Sequence, residues 1–161
     1  MDSILIRKAG LDDLEQLYAF EQGIIQTERP FDPTLKDDPI HYYDLKAMLF
    51  ASDVELVVAD TDGKIIGSGY VRIEKAKDYL EYQQFAYIGF MYVLPAYRGK
   101  GINKKILDHL IDWSRKQNLN EVRLEVYNDN VPAISAYEKC GFTKHIIEMR
   151  LGLETITNDN S

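Results

Sequence analysis

The chain has a single cysteine, Cys140, so no internal disulfide framework can form and a reducing compartment suits it. Nowhere do about eighteen apolar residues run together, which argues against a membrane-spanning helix. The amino terminus, MDSILIRKAG, lacks the apolar stretch of a signal peptide, so a cytoplasmic protein with no membrane partner is expected. Basic residues are in deficit, 19 against 26 acidic ones, for a formal net charge of -7. That balance disfavours gripping a phosphate backbone, so no nucleic-acid partner is expected, and it suits a cationic substrate. His109 and His145 have no companions at metal-ligand spacing, and Cys140 has no histidine partner at a diagnostic spacing. No metal is expected, and Cys140 reads as a small apolar helix residue.

What is present is the composition of a soluble globular chain: 45% hydrophobic and 28% charged over 161 residues, enough to bury one core. One domain over 1–153 is expected, followed by a polar tail, 154–161, with the sequence ETITNDNS. Ile4, Ile6 and Ala9 mark a short strand, and Leu11, Leu14, Leu17 and Tyr18 recur at helical spacing up to about Gln22. From Gly23 to Pro39 the chain contains Pro30, Pro33 and Pro39, which predicts an irregular, substrate-facing segment before a helix over Tyr42–Phe50. The run ELVVA, the turn Asp62-Gly63 and the alternating KIIGSGYVRIE predict a hairpin.

FAYIGFMYV, Phe85 to Val93, is an apolar run fit for a central strand buried on both faces, with Gly89 marking a bulge or a close backbone approach. Pro95 stops it, and LPAYRGKGINKK then leads into a helix from Ile102 to about Gln117. Val122, Leu124 and Val126 predict a further strand. Asn128, Asp129 and Asn130 offer caps for a helix that Gly141 ends near Cys140, and Phe142–Leu151 predicts a last strand.

The Gly99–Gly101 turn between strand and helix would expose backbone N–H groups at a helix amino terminus, where they and the positive end of the dipole attract phosphate. Arg98, Lys100 and Lys104 add charge. The same residues are also compatible with a purely structural turn. Two nucleotide fingerprints fail: GxGxxG needs glycine where Lys104 stands, and in the P-loop pattern Lys100 is followed by Gly101 instead of Ser or Thr.

A second cluster, NVPAISAYEKCGF, follows the next strand. Together with VLPAYRGKGIN it resembles the GNAT N-acetyltransferase family, and with the element order the resemblance spans about residues 3–151. The resemblance implies a mixed α/β fold: a central, mostly antiparallel β-sheet with helices on both faces and a splayed central strand pair. It implies acetyl-CoA as cosubstrate, with backbone groups near Met91 and Val93 pairing with the pantetheine arm. The amides of Arg98, Gly99, Lys100, Gly101, Ile102, Asn103 and Lys104 would hold the pyrophosphate, although Asn103 stands where glycine is more usual.

Asn130 is expected to cap its helix and to touch the cofactor or the acceptor. By the same resemblance, Tyr137 serves as general acid for the departing CoA thiolate. Read alone, Tyr137 is a core aromatic of an amphipathic helix. The implied activity is acetyl transfer to a primary amine of a small molecule or peptide. The alternative is a non-catalytic acyl-CoA sensor, because the FAYIGFMYV strand carries no carboxylate to act as base. Glu28, His41 and Glu81 are candidate bases from outside that strand, none of them assigned, and Asp37 and Asp38 join Glu28 as charges that could attract a cation. Family members commonly form homodimers, while the residues themselves leave oligomeric state open.

Overall fold

The computed structural model describes residues 3–154, and the remainder of the expected polar tail lies outside the described residues. Contacts divide the chain into two compact units, Met1–Asn130 and Val131–Ser161. Among the described residues no helix is long and apolar enough to cross a membrane.

The first unit is built on a five-stranded sheet in the order β1-β2-β3-β4-β5: β1 Leu5–Lys8, β2 Val54–Thr61, β3 Lys64–Lys75, β4 Gln84–Val93 and β5 Val122–Arg123. The first three pairings are antiparallel and β4·β5 is parallel, which gives the mostly antiparallel sheet expected. Asp62 and Gly63 turn β2 into β3 with φ of 51° and 85°. Both central residues lie in the left-handed region, as a two-residue hairpin loop requires.

Two long helices cover opposite faces. Consecutive side chains of a strand point to opposite faces, so Met91 and Tyr92 mark the two sides. On one side, α1 (Leu14–Glu28) packs so closely that a Cβ on Gly23 would lie 2.6 Å from the Tyr92 hydroxyl. On the other, α3 (Ile102–Lys116) seats Ile106 and Leu110 over Gly69, beside the Met91 sulfur. Leu17, Phe20, Ile24, Leu56, Val58, Tyr70 and Phe90 form the core on the α1 side, joined by Leu45 and Leu49 of α2 (Leu45–Phe50).

Gly23 therefore does not end the first helix. The chain stays helical to Glu28 because the missing side chain admits the Tyr92 ring, and the irregular segment starts later, with a 3-10 turn at Arg29–Phe31. Gly89 combines both meanings of a strand glycine. The β3·β4 register shifts between Ser68 and Tyr70, and a Cβ on Gly89 would fall 2.6 Å from Tyr70 ring atoms. Because that ring is only 2% exposed and cannot swing into solvent, Gly89→Ala should cost about 1–3 kcal/mol. An unchanged urea midpoint would show instead that Tyr70 moves aside freely.

Candidate functional site

The bulge in β4 sets which backbone groups face outward. The Leu94 amide donates to Ile66 O at 2.8 Å, and Tyr92 pairs with Ser68, so Tyr92 and Leu94 face β3. Alternation then turns Met91 and Val93 to the opposite edge. Below the bulge the outward residues are Ala86, whose amide donates to Glu121 O, and Ile88. The one-residue change of phase is absorbed at Phe90, whose φ is 57°. β5 pairs only with Ala86 and Tyr87, so among the described residues the upper half of β4, with Met91 and Val93, has no strand ladder on that edge. This is the splayed pair. The Val93 carbonyl accepts a hydrogen bond of 2.8 Å from Arg98 Nε, which ties the loop to the open edge.

A 3-10 turn at Pro95–Tyr97 carries β4 into the glycine loop. Gly99 and Gly101 have φ of 78° and 79°, the left-handed conformation that costs side-chain-bearing residues about 1–2 kcal/mol. Gly101 caps α3, and its carbonyl accepts from the Lys105 amide at 3.2 Å. The amides of Ile102 and Asn103 therefore belong to the first turn, where a helix offers donors without intrahelical acceptors. A Cβ on Gly99 or Gly101 would meet nothing within 4 Å, so open space lies beside both glycines. The Lys100 and Lys64 ammonium groups stand 5.6 Å and 5.4 Å from the Tyr97 ring centre, and Lys104 pairs with Asp108 at 2.8 Å. Amides, a helix amino terminus, lysines and room for an anion fit the pyrophosphate end of coenzyme A.

The segment after α1 makes a second cluster. Glu21, within α1, is fully buried: Oε2 accepts from the amides of Tyr42 and Tyr43, each at 2.9 Å, and Oε1 lies 2.9 Å from His41 Nδ1. This carboxylate fixes the chain ahead of α2 and stands the two tyrosine rings edge to face, 5.8 Å apart. The Tyr43 ring lies 5.0 Å from Phe90 at the bulge and 5.7 Å from Tyr70. Beyond β5, Tyr127 stacks on Phe31 at 5.7 Å. Burial, first of all, pushes the phenols of Tyr42, Tyr43, Tyr70 and Tyr87 well above their ordinary range. They stay protonated and their rings neutral.

The candidate bases separate on position. Glu28, at the end of α1, is half-buried, and desolvation raises its carboxyl above the usual range, with Asp32 adding a smaller push in the same direction. The buried Tyr42 hydroxyl faces it closely enough to oppose that rise, yet misses hydrogen-bond geometry and finds no partner among the described residues. His41 is committed to Glu21, and Glu81 is exposed in the β3–β4 connection. Asp38 is tied to Arg29 at 2.6 Å, which holds its carboxyl below the usual range, and Asp37 is exposed. Glu21 was not singled out by sequence. Its signal was an acid on the apolar face of a helix, between Leu17 and Ile24.

In the second unit, α4 runs from Val131 to Lys139 with Pro132 in its first turn. Gly141, at φ 101°, ends it, and the Phe142 amide closes back on the Tyr137 carbonyl at 3.1 Å. The Tyr137 ring packs edge to face on Phe142, 5.8 Å away. Asn130, the last residue of the first unit, donates its amide to Tyr127 O at 2.9 Å. The expected last strand, Phe142–Leu151, carries neither helix nor strand. Among the described residues no three His, Cys, Asp or Glu side chains gather in a way that could hold a metal ion.

A family model described as Acetyltransferase (GNAT) family matches residues 12–142. Over 123 residues the chain is 26% identical to an aminoglycoside N(6')-acetyltransferase type 1 of Stenotrophomonas maltophilia, covering 73% of this chain and 78% of that one. Over 86 residues it is 35% identical to a streptothricin acetyltransferase of Streptomyces lavendulae, covering 53% of this chain but only 42% of that longer protein. Among solved structures, a predicted acetyltransferase of Clostridium acetobutylicum with acetyl-CoA superposes with a TM-score of 0.72 at 20% identity, over 95% of this chain and 98% of that one.

Proposed function

Because the chain belongs to the GNAT acetyltransferase family, a class of enzymes that use acetyl-CoA, we propose that it transfers the acetyl group of acetyl-CoA to a primary amine through residues 1–153 acting as one domain. The observation that carries this reading is the open upper edge of β4 leading directly into the glycine loop and the amino terminus of α3. The amides from Arg98 to Lys104 take the pyrophosphate, and Met91 and Val93 meet the pantetheine arm. The Val93 carbonyl already accepts from Arg98 Nε, so a bond from that oxygen to the arm would use its second lone pair.

The amine lone pair attacks the thioester carbonyl carbon, a C–N bond forms, and the C–S bond breaks. Tyr137 gives the departing thiolate its proton and recovers one that the nitrogen sheds. Asn130 touches the cofactor or the acceptor. The protein works in the cytoplasm, as the lone cysteine suggests.

Calorimetric titration with acetyl-CoA, followed by thiol-release assays with polyamines, aminoglycosides, amino acids and peptides, tests the proposal. Binding with acceptor-dependent thiol release is expected. Tight binding with only slow, acceptor-independent hydrolysis would favour an acyl-CoA sensor, and no binding would defeat both readings. Gly101→Val should weaken acetyl-CoA binding about 10- to 100-fold by filling the space beside the loop, while the fold loses only the left-handed strain of about 1–2 kcal/mol. A folded variant with unaltered affinity would show that the pyrophosphate lies elsewhere.

A further inference from the structure

The middle of β3, Gly67-Ser68-Gly69, carries a polar side chain where the sheet is fully buried. The Ser68 hydroxyl donates to the Phe90 carbonyl at 3.0 Å. The β3·β4 register pairs Ser68 with Tyr92 and Tyr70 with Gly89, so Gly69 alone stands opposite two residues, Phe90 and Met91. A bulge leaves its extra residue without a ladder partner, and a buried carbonyl left without a donor is costly. Ser68 supplies that donor from its side chain. Without a bulge, the alternation that turns Ala86 and Ile88 outward would carry the Phe90 carbonyl to the open edge as well. Phe90 instead holds φ at 57°, in the left-handed region, which a bulky residue adopts only where its surroundings impose it. Two contacts impose it: the hydroxyl draws the carbonyl toward β3, and the buried ring lies 5.0 Å from Tyr43. The flanking glycines fit the same arrangement. A Cβ on Gly69 would lie 2.8 Å from the Met91 sulfur, and one on Gly67 would lie 2.9 Å from the Tyr92 carbonyl oxygen.

We infer, resting on the acetyltransferase reading above, that Ser68 is a positioning residue for the donor. Its hydroxyl locks the bulge at Phe90, and the locked phase turns the Met91 and Val93 backbone toward the pantetheine arm. Ser68 itself touches neither substrate. Without the hydroxyl the bulge is free to migrate toward Leu94, and Met91 then turns its backbone groups to β3, away from the arm. The glycine loop has its own local determinants, the positive φ of Gly99 and Gly101 and the start of α3, and keeps its grip on the pyrophosphate. The loss therefore falls on one half of the cofactor.

Two ligands separate this role from general damage to the fold: acetyl-CoA carries the pyrophosphate and the arm, and ADP carries the pyrophosphate alone. In calorimetric titrations Ser68→Ala should weaken acetyl-CoA binding about 10-fold, the worth of one or two hydrogen bonds to the arm, with ADP affinity within about twofold of the parent. Ser68→Thr and Ser68→Val are equal in size and differ in the hydroxyl. Threonine should keep the parental ratio of the two affinities, and valine should lose it. A parental ratio in Ser68→Ala, an equal loss of both ligands, or a threonine variant no better than the valine one overturns the inference. ADP without measurable affinity for the parent overturns it too, because the loop must grip independently of the arm. If the larger side chains do not fold at this buried position, Ser68→Ala decides alone by the same ratio. Failure of acetyl-CoA to bind the parent defeats the acetyltransferase reading instead.

Discussion

Tyr137→Phe is expected to cut kcat by a factor on the order of 100 to 10,000, the usual range for losing a general acid, while acetyl-CoA affinity stays within about twofold. The substitution keeps the ring and so keeps the edge-to-face contact with Phe142, and the Cys140 and Phe142 amides at the end of α4 donate to the Tyr137 carbonyl, which phenylalanine also has. Only the hydroxyl is lost. If the thiolate needs that proton, the penalty falls on the breaking of the C–S bond and grows with the basicity of the leaving thiol. Rapid-mixing single turnovers should show the acetyl-transfer step itself slowed, with no change in the binding phase. A variant that turns over at the parental rate when chemistry limits would strip Tyr137 of the acid role and return it to packing.

Glu21→Ala should be the most destabilising single change in the first unit, by about 3–5 kcal/mol. Its carboxylate is fully buried and answers two backbone amides and one imidazole. Alanine leaves the Tyr42 and Tyr43 amides without acceptors where water does not reach, and each such orphan costs about 1–3 kcal/mol. Urea unfolding should show a midpoint lower by about 1–2 M at constant slope. Glu21→Gln keeps one oxygen for the amides and should lose less. The folded fraction of Glu21→Ala should bind acetyl-CoA normally yet bind amines poorly, because the segment carrying both tyrosines has lost its anchor. A midpoint within about 0.3 M of the parent would mean that solvent or another donor set replaces the carboxylate.

The strand, glycine loop and helix start proposed to hold the donor were legible in sequence as local structure, because their determinants are local. A strand, two glycines needed at positive φ, and a helix start are contiguous between Val93 and Ile102, and the structure keeps them in that order. The hairpin at Asp62-Gly63 and the stop at Gly141 were legible for the same reason. What sequence misjudged depended on distant partners. Gly23 looks like a helix breaker until Tyr92 is seen lying on it. The alternation of Val122, Leu124 and Val126 predicts a longer strand than Val122–Arg123, but a ladder needs a neighbour, and pairing with β4 stops at Tyr87. The last strand expected over Phe142–Leu151 likewise did not form. Glu28 stood among the candidate bases by charge alone. What distinguishes it, burial against Tyr42, is a tertiary fact that periodicity cannot reveal.

The bulge at Phe90 also makes length a constraint on this molecule. A strand has a two-residue period, and the extra residue is a half-step that turns Met91 and Val93, instead of Tyr92, toward the open edge. Many substitutions between Tyr87 and Val93 would preserve that phase as long as the packing allowed them. Removing or adding one residue there would reverse it for everything up to Leu94, turning backbone donors toward β3 and side chains to the wrong helix. Relatives that share this site should therefore vary in the letters of this strand while keeping its number of residues between Tyr87 and the glycine loop.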